Sequence, residues 1–407
     1  MKRRHFIQGV LSASLPLVLP SFGAEEMFGV FDFGLTSDEE ARAAQLHKDC
    51  TVVDLMFQGP TGYRSLGGGL LAKSQAAWQA DPSPEVFIGA LQEVIELAMG
   101  GKLPDYMDVW RRSGLQVTNL QVVGDVRDEA HKARVAEIEN YPDYDLVTDF
   151  EGLRAALASQ RYCSFLNYQM IPESVDDPSW FGLARAAGIR MIGLTYNEDN
   201  QLGGGCTGDN VGLTQLGRES IEAMNDQGIV VDTAHAGEKT TIEACNASKK
   251  PVISSHNVAA GVFDHYRNKS DDAMKALADT GGLCGVVTVP AFLADQTTGT
   301  VDMNHVLDHL DYMVDLIGID HVGVGTDWPM QLPRWVLEVG GPMHVWAESV
   351  GHEITPEAGL DINVSGFDDY RDWPNITRGL VKRGYSDSEV EKILGGNALR
   401  VLKEVWI

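Results

Sequence analysis

LTQLGRESIEAMNDQGIVVDTAH, residues 213–235, carries a helical stretch into a short apolar strand that ends on a histidine. Up to residue 227 the apolar side chains recur with the period of one helix face, and from 229 they form a continuous β-branched run. The same order repeats downstream. KTTIEACNASK (239–249) precedes the run at 251–254, and SDDAMKALADTG (270–281) precedes the run at 283–289. Further runs of this kind lie at 51–55, 116–123, 163–168, 190–195 and 321–325, most of them separated by stretches with helical periodicity. Strands hydrophobic along their whole length are buried on both faces, as parallel sheets require and half-solvated antiparallel sheets do not. Eight such runs predict an α/β fold of the (β/α)8 type. The competing architecture, a doubly wound open sheet, lacks a GxGxxG after an early strand.

The chain of 407 residues has 44% hydrophobic residues, enough for one large barrel. No composition shift or Pro/Ser linker divides residues 25–407, which reads as a single domain. The formal charge of −26 excludes an extended phosphate-binding surface, because counterion release needs clustered Lys and Arg, and nucleic acid is not an expected partner. Residues 1–24 read as an export address: a basic start, a short apolar stretch with two prolines, and small residues before a cut near 23 or 24. Arg3-Arg4-His5-Phe6-Ile7 resembles the twin-arginine signal, which implies export of the folded chain by that machinery, a periplasmic location and no membrane anchor in the mature form. Five scattered cysteines without a CxxC pair offer no thiolate metal cluster and are read as unpaired.

In a barrel of this kind the reactive groups stand at the C-terminal ends of the strands. IVVDTAH ends at His235, PVISSH at His256 and HVGVGTD at Asp327, while MIGLTY, FLNYQ and TVVDLMFQ end at Tyr196, Gln169 and Gln58. Two imidazoles and a carboxylate on one rim have the ligand chemistry of a divalent ion with an open position. A lone strand-end histidine is more often a hydrogen-bonded structural residue, but three such groups in register shift the balance. His305 and His309 have i, i+4 spacing without the glutamate of a zinc-protease helix and read as packing or surface residues.

GLTQLGRESIEAMNDQGIVVDTAHAG, PVISSHNVAAGVFDHYRNKSDD, LIGIDHVGVGTDW and NITRGLVKRGYSDSEVEKILGGNALRVL together resemble the membrane dipeptidase (renal dipeptidase) family of metallopeptidases. The resemblance runs from about residue 48 to the C-terminus, is most specific in the last segment and is poor between about 60 and 110. It implies a (β/α)8 barrel with two zinc ions bridged by a glutamate, hydrolysing dipeptides through a metal-activated water, and it implies a homodimer. By position, His235 and His256 match the histidines of one metal, Asp327 the aspartate that handles the proton, and Arg267 the arginine that holds the substrate carboxylate. The departures fall together. The family's His-x-Asp on the first strand is Met56 and Gln58 here, the bridging glutamate falls at Gln169, and Tyr196 replaces a substrate-contacting histidine.

A neutral amide cannot supply the charge that lets two dications sit close together. The expectation is therefore one zinc at most, on His235 and His256, with Asp327 as third ligand or proton acceptor and Gln169 as a neutral fourth. Two functions follow: a metal-dependent hydrolase of a dipeptide or related small amide, or a degenerate barrel serving as an exported binding or maturation factor. The same ligands also match the facial set of non-haem iron oxygenases, which usually occupy other folds. Tyr63, Arg64 and the Trp- and Gly-rich loops around 329–373 are candidates for a new substrate wall.

Overall fold

The computed structural model describes residues 30–58, 70–83, 106–122, 124–327 and 363–406, together with isolated positions between 86 and 102 and at 341. The export address, Tyr63, Arg64 and most of the 329–373 region lie outside the described residues.

The strands are β1 (Val52–Phe57), β2 (Leu115–Gln121), β3 (Tyr144–Leu146), β4 (Tyr162–Tyr168), β5 (Ile189–Gly193), β6 (Val230–Asp232), β7 (Val252–Asn257), β8 (Leu283–Val286) and β9 (Val322–Val324). They form one parallel sheet in the order β1-β2-β4-β5-β6-β7-β8-β9, with β3 added beside β4. All eight apolar runs become barrel strands. Helices Gln215–Gln227, Glu238–Ala247 and Asp271–Asp279 occupy the connections read as helical. Thr214 and Ser270 cap two of them through side-chain oxygens that accept from Gly217 N and Ala273 N.

The seam between β9 and β1 is closed by polar groups. Asp327 N donates to Met56 O at 2.7 Å. The Asp54 carboxylate accepts from Thr326 N (2.9 Å), Thr326 Oγ1 (2.5 Å), Met56 N (3.0 Å) and Trp373 Nε1 (3.2 Å). Burial pushes Asp54 up to about 6 against the pull of these four donors.

The bottom of the barrel is apolar. Val53, Val117, Phe165, Met191, Val230, Ile253 and Leu283 pack on Val401, Leu402, Val405 and Trp406 of the C-terminal segment, which plugs the N-terminal end. Above this layer the amide of Asn167 donates to Asn119, whose own amide donates to Leu55 O at 2.6 Å. With one end filled and the middle crossed by side-chain bonds, the ends of the strands at the other mouth are left for chemistry. Among the described residues no helix is long and apolar enough to cross a membrane. All five cysteines are free thiols.

Candidate active site

His235 and His256 reach the mouth from the ends of β6 and β7, and both are buried. Their Nε2 atoms face each other at 3.0 Å. The far nitrogen of each ring is engaged. The hydroxyl of Ser255 donates to Asp232 Oδ2 at 2.5 Å, so its oxygen accepts from His256 Nδ1 at 2.7 Å. Asp232 is itself fixed by Ala234 N and Ser255 N. On the other ring, His235 Nδ1 donates to Asn197 Oδ1 at 2.8 Å. With protons on both Nδ1 atoms, both Nε2 atoms carry lone pairs on the facing sides of the rings, that of His235 also approached by Arg267 Nη2 at 3.3 Å.

Burial, aided by the Arg267 charge and then by His256, holds His235 well below its ordinary value. Burial likewise lowers His256, where Asp327 pulls the other way. The charged form of both rings is therefore disfavoured. The Tyr196 ring stacks on His235 at 4.1 Å between centroids, and burial first, then Asp327, pushes its hydroxyl up to about 12. It is a proton donor at neutral pH.

Arg267, on the loop after β7, is also buried. Its Nη1 donates to Ala234 O at 2.6 Å, its Nη2 approaches His235 Nε2 at 3.3 Å, and its guanidinium lies 5.2 Å from the Phe292 ring centroid. Two residues on, the buried Lys269 donates to Thr233 O, Ala236 O and Thr241 Oγ1, clasping the turn that carries His235. Burial and the Arg267 charge bring Lys269 down to about 8. Among the described residues neither cation has a carboxylate within ion-pair distance.

The β1, β2 and β4 side of the mouth is different in kind. Gln58 Nε2 donates to Asp327 Oδ1 at 2.6 Å. Gln169 Nε2 meets Gln121 Oε1 at 3.2 Å and Met56 Sδ at 3.6 Å. Asp327 has a left-handed backbone, φ 57°, a conformation tolerated by Asp and Asn and costly to most residues. Gly193 on β5 lies so close to the Gln169 carbonyl that a Cβ there would collide with it.

The structure thus brings together His235, His256, Tyr196 and Arg267, sets Asp327 with Gln58, and sets Gln169 with Met56 and Gln121. Among the described residues, no group of three or more His, Cys, Asp and Glu side chains is placed to hold an ion. The donor set nevertheless suits a single one. Two imidazole nitrogens on one zinc, each at about 2.0–2.1 Å, stand roughly 2.9–3.4 Å apart at ordinary angles, and the observed 3.0 Å falls in that span. The opposite arc does not suit a second ion, since Met56, Gln58 and Gln169 are neutral and the amide nitrogens of Gln58 and Gln169 are already engaged by Asp327, Gln121 and Met56.

Asp232, Ser255, Asn197, Gln121 and Lys269 escape a reading of strand-end residues alone. Ser255 and Asn197 adjoin His256 and Tyr196 in sequence, and Asp232 stands three before His235; that proximity was the available signal. His305 and His309 are structural: His305 closes a helix cap with Asp302, and the buried His309 ring accepts from Ala259 N and donates to Leu293 O.

A closed parallel (β/α)8 barrel with buried imidazoles at its C-terminal mouth is a barrel of the metal-dependent amidohydrolase kind. The chain belongs to the membrane dipeptidase family, peptidase family M19, whose model matches residues 114–339 and 334–406. Dipeptidase tcpJ of Claviceps purpurea (strain 20.1) is 29% identical over 221 residues, 54% of this chain and 45% of that protein. Dipeptidase verJ of Clonostachys rogersoniana is 27% identical over 272 residues, 66% of this chain and 62% of that protein. The chain therefore matches about half of the first relative and under two thirds of the second. Among solved structures, an amidohydrolase from Pseudomonas aeruginosa superposes with TM-score 0.67 at 25% identity, covering 89% of this chain and 99% of that one. The probable dipeptidase PvdM from the same organism gives TM-score 0.68 at 19% identity, covering 91% and 99%, and speaks to the fold alone.

Proposed function

We propose that this protein is a dipeptidase-like hydrolase of small peptides or related amides that works with one divalent ion, zinc by family, held by His235 and His256. The observation that carries the reading is the pair of Nε2 lone pairs 3.0 Å apart with both far nitrogens locked. Asp327, on the same rim, stands as third ligand or as proton acceptor. When bound, the ion supplies Lewis acidity, polarising a carbonyl and acidifying water.

The chain's own residues do the rest. Tyr196, protonated at neutral pH, donates to the oxygen that gains charge as the amide carbonyl is attacked. Asp327 accepts the proton released by the attacking water. Arg267, buried and with no acid beside it among the described residues, anchors the substrate carboxylate through its planar fork. Gln58 orients Asp327 and tempers its charge.

The test is a dipeptide library offered to protein loaded with zinc, cobalt or manganese. Hydrolysis that disappears in Asp327→Asn, with an unchanged melting temperature, supports the assignment; hydrolysis unaffected by that change defeats it. A second reading, an exported binding or maturation barrel, is favoured by one observation, the mutual pairing of Met56, Gln169 and Gln121 beside Gln58–Asp327. Silence across the library beside measurable ligand binding would select it. Under either reading we place the mature protein in the periplasm as a homodimer, the first on the Arg3-Arg4 signal and the second on family resemblance.

A further inference from the structure

The Gln169 side chain at the mouth has a polar atom left without a partner. Gln169 is 6% exposed, and its Oε1 is buried with no hydrogen bond. A buried acceptor left unmet is costly, so a native site keeps one only where something else meets it. With Gln121 as placed, turning over Gln169 alone would set its oxygen toward Gln121 Oε1, two acceptors facing each other across the 3.2 Å now bridged by Nε2.

β1, β2 and β4 are adjacent in the sheet, so Met56, Gln121 and Gln169 form one arc of the mouth. That arc is uncharged: a fully buried thioether and two amides, with the neighbouring Asp327 already accepting from Gln58. The arc from β6 and β7 carries Arg267 and Lys269. An ammonium seated at Gln169 would lose its hydration against neutral groups, a large penalty for a charge. A neutral N–H would meet the orphan oxygen without that loss.

We propose that Gln169 Oε1 accepts a hydrogen bond from an uncharged N–H of the substrate. The preferred ligand class is then an N-acylated amino acid or dipeptide, with its carboxylate toward Arg267 and its acyl-amide N–H on Gln169, in place of a dipeptide with a free amino terminus. This rests on the reading above only in placing the substrate across the mouth and its carboxylate at Arg267.

The experiment is calorimetric binding of N-acetyl-Ala-Ala and Ala-Ala to the full protein, chelator-dialysed and zinc-loaded, with Gln169→Leu and Gln169→Glu in parallel and melting curves for each variant. The wild type is expected to bind the acetylated ligand at least about tenfold tighter, one hydrogen bond's worth, with and without zinc. Q169L brings the ratio near one, and Q169E, isosteric and with its folding checked by the melting curve, reverses it. Equal or weaker binding of the acetylated ligand, binding of neither, or a ratio unmoved by Q169E overturns the inference. So does a preference present only with zinc, which assigns the oxygen to the ion. Because the readout is binding, a protein that hydrolyses nothing yet shows the ratio keeps this inference while losing the hydrolase reading. Hydrolysis with no preference does the opposite.

Discussion

The side-chain amide of Gln58 donates to the carboxylate of Asp327 at 2.6 Å, tying the first barrel strand to the end of the last at the mouth. A neutral donor thus stands against an acid at a rim where a cation is the usual counterpart. The bond engages one carboxylate oxygen of Asp327 without adding charge.

Gln58→Glu turns that bond into two facing acids. The variant is expected to lose about 1–3 kcal/mol of stability in chelator, from the lost donor and like-charge repulsion. Millimolar zinc or manganese should restore much of it. Urea melts with and without metal check this; equal melts in both conditions would mean that the pair has no latent affinity for a cation.

Ser255 links Asp232 to His256 and so fixes which ring nitrogen carries the proton. Ser255→Ala should weaken zinc binding about 10- to 100-fold, the usual effect of losing a partner behind a ligand. Nitrogen-15 spectra of the His256 ring should show the Nδ1–H form giving way to a mixture. An unchanged ring spectrum would contradict the relay.

Asp54 gives a pH signature. Its folded value of about 6 stands above the ordinary 3.8, so the folded state holds this proton more tightly than the unfolded chain. Its contribution is full below about 4, declines as pH rises to about 6, and is level above, a change on the order of 1–3 kcal/mol. His47, buried and held down to about 4, acts oppositely, losing stability as pH falls from 6.5. Comparing urea melts of the wild type and Asp54→Asn from pH 4 to 7 isolates the aspartate: their difference should vary over that window and be constant above it.

Asp327 has φ 57°, where Asn is tolerated and Ala is strained. Asp327→Asn should melt close to the wild type, whereas Asp327→Ala should fall by about 1–2 kcal/mol from backbone strain and the lost Gln58 bond. Both should lack turnover. Equal melting of the two variants would show that the left-handed backbone stores no strain.

The barrel was legible because its strands are buried on both faces, so hydrophobic continuity alone marks them. β3 escaped because Tyr144–Leu146 is three residues long with Asp145 at its centre, and only its pairing with β4 makes it a strand. His235, His256 and Asp327 were legible as the last polar residues of apolar runs. The Gln58–Asp327 bond was not, since it joins positions 269 residues apart and exists only once the barrel closes. The Asp232–Ser255–His256 chain was hidden for a different reason: a hydroxyl beside a histidine has no periodicity to betray its direction. The orphan oxygen of Gln169 is a property of the packing around it, which a residue's identity does not announce.

Anomalous diffraction at the zinc edge from crystals of the zinc-replete protein tests the central claim most directly. The expected result is one peak, within bonding distance of Nε2 of both His235 and His256, and none beside Gln58. No peak between the two imidazoles, or a second peak on the Met56–Gln58 side, would contradict the account.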